Sequence, residues 1–212
     1  MQENYNKVVV QKPWGYEYLA YDNDSVGLWI LHIKAGHSTS MHCHPQKNTG
    51  LVLLDGKAKI SFLNDTFDVS KYDKMMIRKG LFHKTSATTD CILLEIESPK
   101  DKEDLVRLED NYGRENKDYE NENFHTPKDS EKLWLEKNKS YNFYENKILV
   151  KEVNNINDIQ DNFDLCIILD GGLLAGKDKK VLSCGDVVNK VTLDKLLKFN
   201  IEQNSIFMFI SK

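Results

Sequence analysis

The sequence predicts an all-β protein, and three observations carry that expectation. Apolar and polar residues alternate through YEYLAY (residues 16–21) and VGLWILHIKAG (residues 26–36). Turn residues return roughly every ten positions, the spacing of an antiparallel sandwich or barrel. No apolar pattern of period 3.6 is sustained before residue 100.

The elements follow in order. A polar start, MQENYNK, turns apolar at Val8, and Pro13 and Gly15 then bracket Trp14. Strands are expected in YEYLAY, VGLWILHIKAG, LVLLDGKAKISFLNDTFDV, KMMIRKG and CILLEIES. Asp55-Gly56 is a favoured pair for a tight hairpin, and Asp170-Gly171 is a second one. Their neighbourhoods look alike: Gly56 precedes Asp73 by 17 residues, and Gly171 precedes Asp186 by 15. Either the chain repeats itself here, or two common hairpins coincide. Residues 101–145 join the halves. DKEDLVRLEDNYGR reads as a short helix or an extended arm, and SEKLWLEKNKS as a helix capped by Ser130. TLDKLLKFNIE reads as a helix capped by Thr192, and NSIFMFISK closes the chain as a strand. The expected organisation is a barrel with its arm over residues 1–114, a polar connector over 115–145, and a smaller β-rich segment over 146–212.

Composition narrows the classes. The 212 residues are 40% hydrophobic, enough for a sizeable core, and a net charge of −4 offers no basic field to nucleic acid. Cys43, Cys91, Cys166 and Cys184 form no C-x-x-C pair, and Cys91 and Cys166 lie in apolar runs, as buried reduced thiols do. The N-terminus lacks a signal-peptide pattern and no apolar run reaches membrane-span length, so a cytoplasmic protein without a membrane partner is expected.

Chemistry gathers in GHSTSMHCHPQKNTGLVLLDG, from Gly36 to Gly56. In a strand, residues i and i+2 share a face, so His42 and His44 project together and Cys43 opposes them. His83 follows 39 residues after His44, in IRKGLFHKTS. Three imidazoles from two strands can converge on one divalent metal ion (Zn, Fe, Ni, Mn or Co) and leave coordination positions open for catalysis. The other histidines read more plainly: His32 as a strand residue, His37 at a turn, His125 as solvated in the connector. Cys43 has no base on its side of the strand.

Gly36, His42, His44 and Gly56, followed by Asp73, Ile77, Gly80 and His83, resemble the two motifs of the cupin superfamily. That resemblance implies a cupin (double-stranded β-helix, jelly-roll) barrel, with the C-terminal segment readable as a degenerate second cupin. It implies a ligand set of histidines and one glutamate. Here the glutamate position falls at Asn48 or Thr49, while Tyr72 and Arg78 stand where Gly and Pro are usual. KPWGYEYL (residues 12–19) and EDLVRLEDNYGR (residues 103–114) narrow the likeness. Over residues 11–114 the chain is similar to the mannose-6-phosphate isomerase domain of fused isomerase–guanylyltransferase enzymes. Aligned so, His44 falls on a ligand His, His42 on a ligand Gln, Thr49 on the ligand Glu and His83 on the second-motif His. Lys47 and Lys84 fall where that family has Arg.

Aldose–ketose isomerisation moves a proton between adjacent carbons beside a polarising metal. Glu95, Glu97 and Lys84 are the candidate catalytic groups. Lys47, Arg78, Arg114 and Trp14 are candidates to bind an anionic sugar. The expected activity is isomerisation or epimerisation of a phosphorylated or nucleotide-linked sugar in surface-polysaccharide biosynthesis, by a homodimer. A three-His iron dioxygenase and a non-catalytic sugar-binding or regulatory cupin are the other two readings.

Overall fold

Alternation becomes strand wherever one face can be buried. The computed structural model describes residues 7–114, 128 and 131–212. His125 and Ser130 lie outside the described residues. The chain divides into two compact units, Met1–Lys128 and Asp129–Lys212.

The first unit is a jelly roll (double-stranded β-helix), the fold the sequence resemblance implies. Its large sheet comprises β1 (Val9–Lys12), β2 (Gly15–Asp22), β3 (Gly27–Ile33), β5 (Asn48–Asp55), β8 (Lys74–Ile77) and β10 (Cys91–Ser98), in the order β1-β2-β3-β10-β5-β8. The small sheet is β7-β6-β9, from Thr66–Ser70, Lys57–Ser61 and Lys84–Ala87. β4 (Met41–Cys43) pairs with β11 (Val106–Glu109), so the EDLVRLEDNYGR stretch is an extended arm and not a helix. Isolated bridges, Ser38 to Ser86 and His42 to His83, lay the stretch before and within β4 along β9 and the turn that leads into it.

Inside this barrel, Trp29, Leu31, Ile33, Leu51, Leu53, Ala58, Ile60, Cys91 and Leu93 form one apolar cluster. The period of two along β10 puts Cys91, Leu93, Glu95 and Glu97 on one face. That face is therefore apolar at one end and charged at the other, and both glutamates are buried.

The second unit repeats the design. β12 (Lys139–Phe143), β13 (Asn146–Val153), β14 (Leu165–Asp170), β17 (Val187–Asn189) and β19 (Ser205–Ser211) form the sheet β12-β13-β19-β14-β17. β15 (Gly172–Ala175), β16 (Lys179–Ser183) and β18 (Asn200–Ile201) form the sheet β16-β15-β18. Strand for strand, this is the order β2-β3-β10-β5-β8 and β7-β6-β9 of the first unit. The turns agree in detail. Tyr72 N–H donates to the Leu53 carbonyl at 2.8 Å and Leu53 N–H to the Asp73 carbonyl at 3.1 Å. Gly185 and Ile168 make the same pair with Asp186, at 2.8 and 3.0 Å. Both tight turns need a left-handed residue: Gly185 has φ 91° and Tyr72 has φ 70°. The usual glycine of the motif thus has a physical reason, and Tyr72 departs from it.

Two helix expectations change. The C-terminal helix, α1 (Lys190–Leu196), begins earlier than expected because Asn189, not Thr192, is its cap; the Asn189 side chain accepts from Thr192 N–H at 2.9 Å. Residues 132–136 are irregular rather than helical, with Leu133 and Leu135 buried at a spacing of two. β12 already begins within the stretch expected as connector.

The hairpin glycines are sterically demanding. A Cβ on Gly56 (φ 86°) would lie 2.3 Å from the Asp90 carbonyl oxygen, and one on Gly171 (φ 66°) 2.3 Å from Ser205 Oγ. Gly56→Ala is expected to destabilise the protein by about 2 kcal/mol or more, from left-handed strain plus displacement of the β10 start. Urea unfolding checks this; a loss under about 0.5 kcal/mol, the scale of a neutral surface change, would show the turn to be adaptable.

Candidate metal centre

His42 lies on β4, His44 just beyond it, and His83 just before β9. Backbone pairing brings them together: His42 N–H donates to the His83 carbonyl at 3.0 Å, and His83 N–H returns the bond at 2.8 Å. The ring centroids are 4.4 Å apart for His42 and His83, 4.9 Å for His42 and His44, and 5.4 Å for His44 and His83. One ring nitrogen from each lies within 4.8 Å of the others, a spacing that can hold one ion.

The tautomers follow from the partners. His42 Nδ1 contacts the Ser40 carbonyl at 2.8 Å, His44 Nδ1 the Asp104 carbonyl at 2.6 Å, and His83 Nδ1 the Leu81 carbonyl at 3.0 Å. A carbonyl oxygen only accepts, so each Nδ1 carries the proton and each Nε2 presents a lone pair. His44 Nε2 is buried without a hydrogen-bond partner. All three imidazoles are held neutral at neutral pH. Burial is the main cause for each; the positive charges of neighbouring histidines and Lys47 add to it at His42 and His44. At His83, burial outweighs the Leu81 carbonyl and the Glu95 charge. Neutral imidazoles with free Nε2 atoms are the form that binds metal, and the residues present fit a divalent ion.

The arm holds this arrangement. Besides receiving His44 Nδ1–H, Asp104 accepts Gln46 N–H and Lys47 N–H on its carboxylate, at 2.8 and 3.0 Å. Further on, Asp110 binds Arg114 with contacts of 2.5 to 3.1 Å. Burial raises the Asp110 pKa, and the hydrogen bonds and charge of Arg114 more than reverse that, leaving it below the ordinary carboxylate value.

Beside the histidines lies a buried ion network. Lys47 Nζ donates to Glu97 at 2.7 Å and to the Asp101 carbonyl at 2.6 Å. Lys102 Nζ lies 3.2 Å from both Glu95 and Glu97, 3.5 Å from Glu17, and 4.2 Å from the centroid of the Trp29 ring. Burial disfavours the Lys102 charge, yet Glu17, Glu95 and Glu97 outweigh it and raise its pKa. Lys12 lies 3.7 Å from Glu17.

A cavity opens over the three histidines. Trp14, Glu95 and Arg114 line it, as do Lys12, Glu17, Lys102 and Arg107. The other expected site residues are placed elsewhere. Glu97 and Lys47 are consumed by their ion pair and are off the cavity wall. Arg78 is exposed in the turn after β8, and Lys84 alternates away from Thr85, the β9 residue on the wall. Lys12, Glu17, Lys102 and Arg107 were missed as site residues. A signal existed for Glu17, which shares its strand face with Gly15 and Leu19 inside KPWGYEYL; Lys102 lies in a loop without periodicity. His32 stacks on Tyr16 at 4.3 Å and does not reach the cavity wall. The Cys43 pKa is raised, by burial first and then by Asp104, which suits a structural thiol.

No protein-family model matches the chain, and no curated protein sequence does. Among solved structures, KdgF from Halomonas sp. is similar over 42% of this chain and 84% of its own, with 13% identity and a TM-score of 0.41. An RmlC-like cupin from Shewanella frigidimarina covers 46% of this chain and 89% of its own, with 13% identity and a TM-score of 0.41. The capsular polysaccharide assembling protein CapF from Staphylococcus aureus matches over 48% of this chain and 32% of its own, with 20% identity and a TM-score of 0.42. The strand order itself carries the fold assignment.

Two outcomes follow from this geometry. The metal-free protein is expected to lose stability as pH falls from 7 to 5. The folded imidazoles stay neutral while the unfolded chain binds protons below about pH 6.5, so the unfolded state holds more protons and stability rises with pH in this window. Three such groups give a slope of at most about 4 kcal/mol per pH unit. Urea melts of chelator-treated protein test it, and replacing all three histidines with Gln should flatten the slope. Second, Glu97→Gln or Lys47→Met alone should cost about 3–5 kcal/mol, and the double variant less than the sum, because each single change strands a buried charge. Strict additivity in that cycle would contradict the pairing.

Proposed function

We propose that this chain is a metal-dependent isomerase or epimerase of a phosphorylated or nucleotide-linked sugar, acting in the cytoplasm as a homodimer in surface-polysaccharide biosynthesis. One observation carries the reading. Three imidazoles with free Nε2 lone pairs open into a cavity whose other walls bring both carboxylates and cations. His42, His44 and His83 would hold the ion, which when bound supplies Lewis-acid polarisation of a carbonyl or hydroxyl oxygen.

The chain's own residues supply the rest. On the cavity wall Lys12 and Lys102 are paired with Glu17 and Glu95, and Arg114 with Asp110, so it is the cationic side chains a phosphate would meet there, Arg107 and Arg114 among them, that favour an anionic substrate. Arginine suits the phosphate fork, and Trp14 offers a flat apolar wall to a sugar ring. Leu31, Leu51 and Leu93 keep the floor dry. The proton taken from the hydroxyl-bearing carbon goes to a carboxylate, Glu17 or Glu95, and returns from it to the adjacent carbon, or to the other face of the same carbon for an epimerase. The likeness of KPWGYEYL and EDLVRLEDNYGR to mannose-6-phosphate isomerase domains supports the same class. Free thiols at all four cysteines fit a reducing compartment.

Thr49 in place of the motif glutamate is the observation favouring a second reading, a three-His iron dioxygenase. Elemental mass spectrometry of protein purified without added metal, followed by sugar-phosphate assays in D2O, separates them. The isomerase reading expects about one divalent ion per chain, deuterium at the carbon that changes, and at least about 100-fold loss of turnover in His83→Ala. Oxygen uptake with substrate and no deuterium exchange would favour the dioxygenase; absence of bound metal would remove both.

A further inference from the structure

The carboxylate missing from the first motif has a counterpart on the neighbouring strand. Glu95 Oε1 lies 3.9 Å from His44 Nε2, and both side chains are at most 7% exposed. No hydrogen bond joins them, because the distance is too long and the His44 proton is on Nδ1, facing the Asp104 carbonyl. An imidazole lone pair and a carboxylate oxygen thus face each other in a buried space. That arrangement is unfavourable unless a cation or a two-proton donor such as water bridges them. The His44–Glu95 spacing suits a cation, since donors about 2.0–2.2 Å from a shared metal sit about 3.3 to 4.2 Å apart at wide angles. Glu95 stands outside the set of three histidine nitrogens that lie within 4.8 Å of one another, so its carboxylate would move toward the ion on binding.

The surrounding residues fix Glu95 for this task. Its other oxygen, Oε2, receives Lys102 Nζ at 3.2 Å, which orients the carboxylate as outer partners of metal ligands do. In the sheet, Glu95 pairs with Leu51 and Glu97 with Thr49, so the face that would carry a glutamate on β5 carries it on β10 instead. The Thr49 hydroxyl is buried without a hydrogen-bond partner and is off the cavity wall. We propose that Glu95 is the carboxylate ligand of the metal, completing a three-His, one-Glu set from β10, and that Glu17 is left as the carboxylate that moves the proton. The inference rests on the metal-dependent reading above.

Affinity for Co2+ or Zn2+, measured by chelator competition on stripped protein, tests it. Glu95→Gln and Glu95→Ala should each weaken binding by about 10- to 100-fold or more, as loss of groups that hold or orient a metal does. Glu17→Gln, on the same cavity wall but flanked by Lys12 and Lys102, should keep affinity within threefold while losing turnover. Equal affinity in wild type and both Glu95 variants would overturn the assignment. So would an equal loss in Glu17→Gln, since the effect would then be general electrostatics. If the Glu95 variants do not fold, a crystal structure of the metal-loaded wild type decides: Glu95 Oε1 at about 2.0–2.2 Å from the ion supports it, and a water in that position overturns it. A wild type that binds no divalent ion would remove the parent reading as well, whereas a wild type that binds metal regardless of residue 95 would remove this inference alone.

Discussion

Six charges buried at one end of the first barrel have to balance where they stand. Lys12, Lys47 and Lys102 face Glu17, Glu95 and Glu97, with side chains at most 9% exposed. An unpaired ion in such a place costs several kcal/mol, so the set holds together or fails together. This balance explains more than stability. It takes Lys47 away from substrate and gives it to Glu97. It also bears on Thr49: a glutamate there would lie across the sheet from Glu97 and add a fourth negative charge to three positive ones. The absent motif residue is therefore consistent with the interior it borders.

The same constraint gives the arm its role. EDLVRLEDNYGR follows directly on Lys102, and its first residues are hydrogen-bonded to the segment that carries His44 and Lys47. β11 then pairs with β4, setting Arg107 opposite His42. Arg114 closes on Asp110, Tyr112 OH accepts Ser38 N–H at 3.3 Å, and Asn111 donates to Ser38 Oγ at 3.3 Å. The arm is thus the outer layer of the three-histidine site. It fixes two of the three imidazole environments and places two arginines on the cavity wall.

Much of this was legible in the residues. The alternation of strands, the H-x-H spacing and the distant His83 depend on local periodicity, which a sequence displays. The paired Asp-Gly hairpins pointed to a repeat without separating it from a coincidence of two common turns, and the matching strand orders resolve the choice. Four things were hidden. Lys47 and Glu97 looked like a substrate cation and a base, and only the register of β5 against β10 makes them a buried pair. Arg78 and Lys84 sit near His83 in sequence, but strand alternation and turn direction carry them away from it. Glu17 and Lys102 reach the cavity from β2 and from a loop that share no sequence neighbourhood with the histidines. Asn189 took the cap from Thr192 because a cap is chosen by which side chain reaches the first free N–H, a choice hydrophobic spacing does not encode.

The second unit shows what this fold does without a site. Matching its turn through Leu53 and Ile168 puts Leu93 in register with Phe207 and Glu95 with Phe209. Phe163, Phe207, Phe209 and Leu193 of α1 occupy its interior, and among the described residues of this unit the buried polar side chains, Asn146 and Ser205, are uncharged. Histidines and glutamate are lost together, and aromatic side chains fill the space. A packed apolar interior is the more stable solution for a given volume, and buried ion networks are at best neutral against it. Two copies of one topology in one chain therefore differ in the direction that stability alone does not explain. The first copy keeps a charged, hollow end that a purely structural barrel would fill, and it keeps it around three imidazoles whose lone pairs point inward. Local rules broken in this way mark sites that bind or react, and that contrast within the chain singles out the three-histidine end of the first unit as the candidate site.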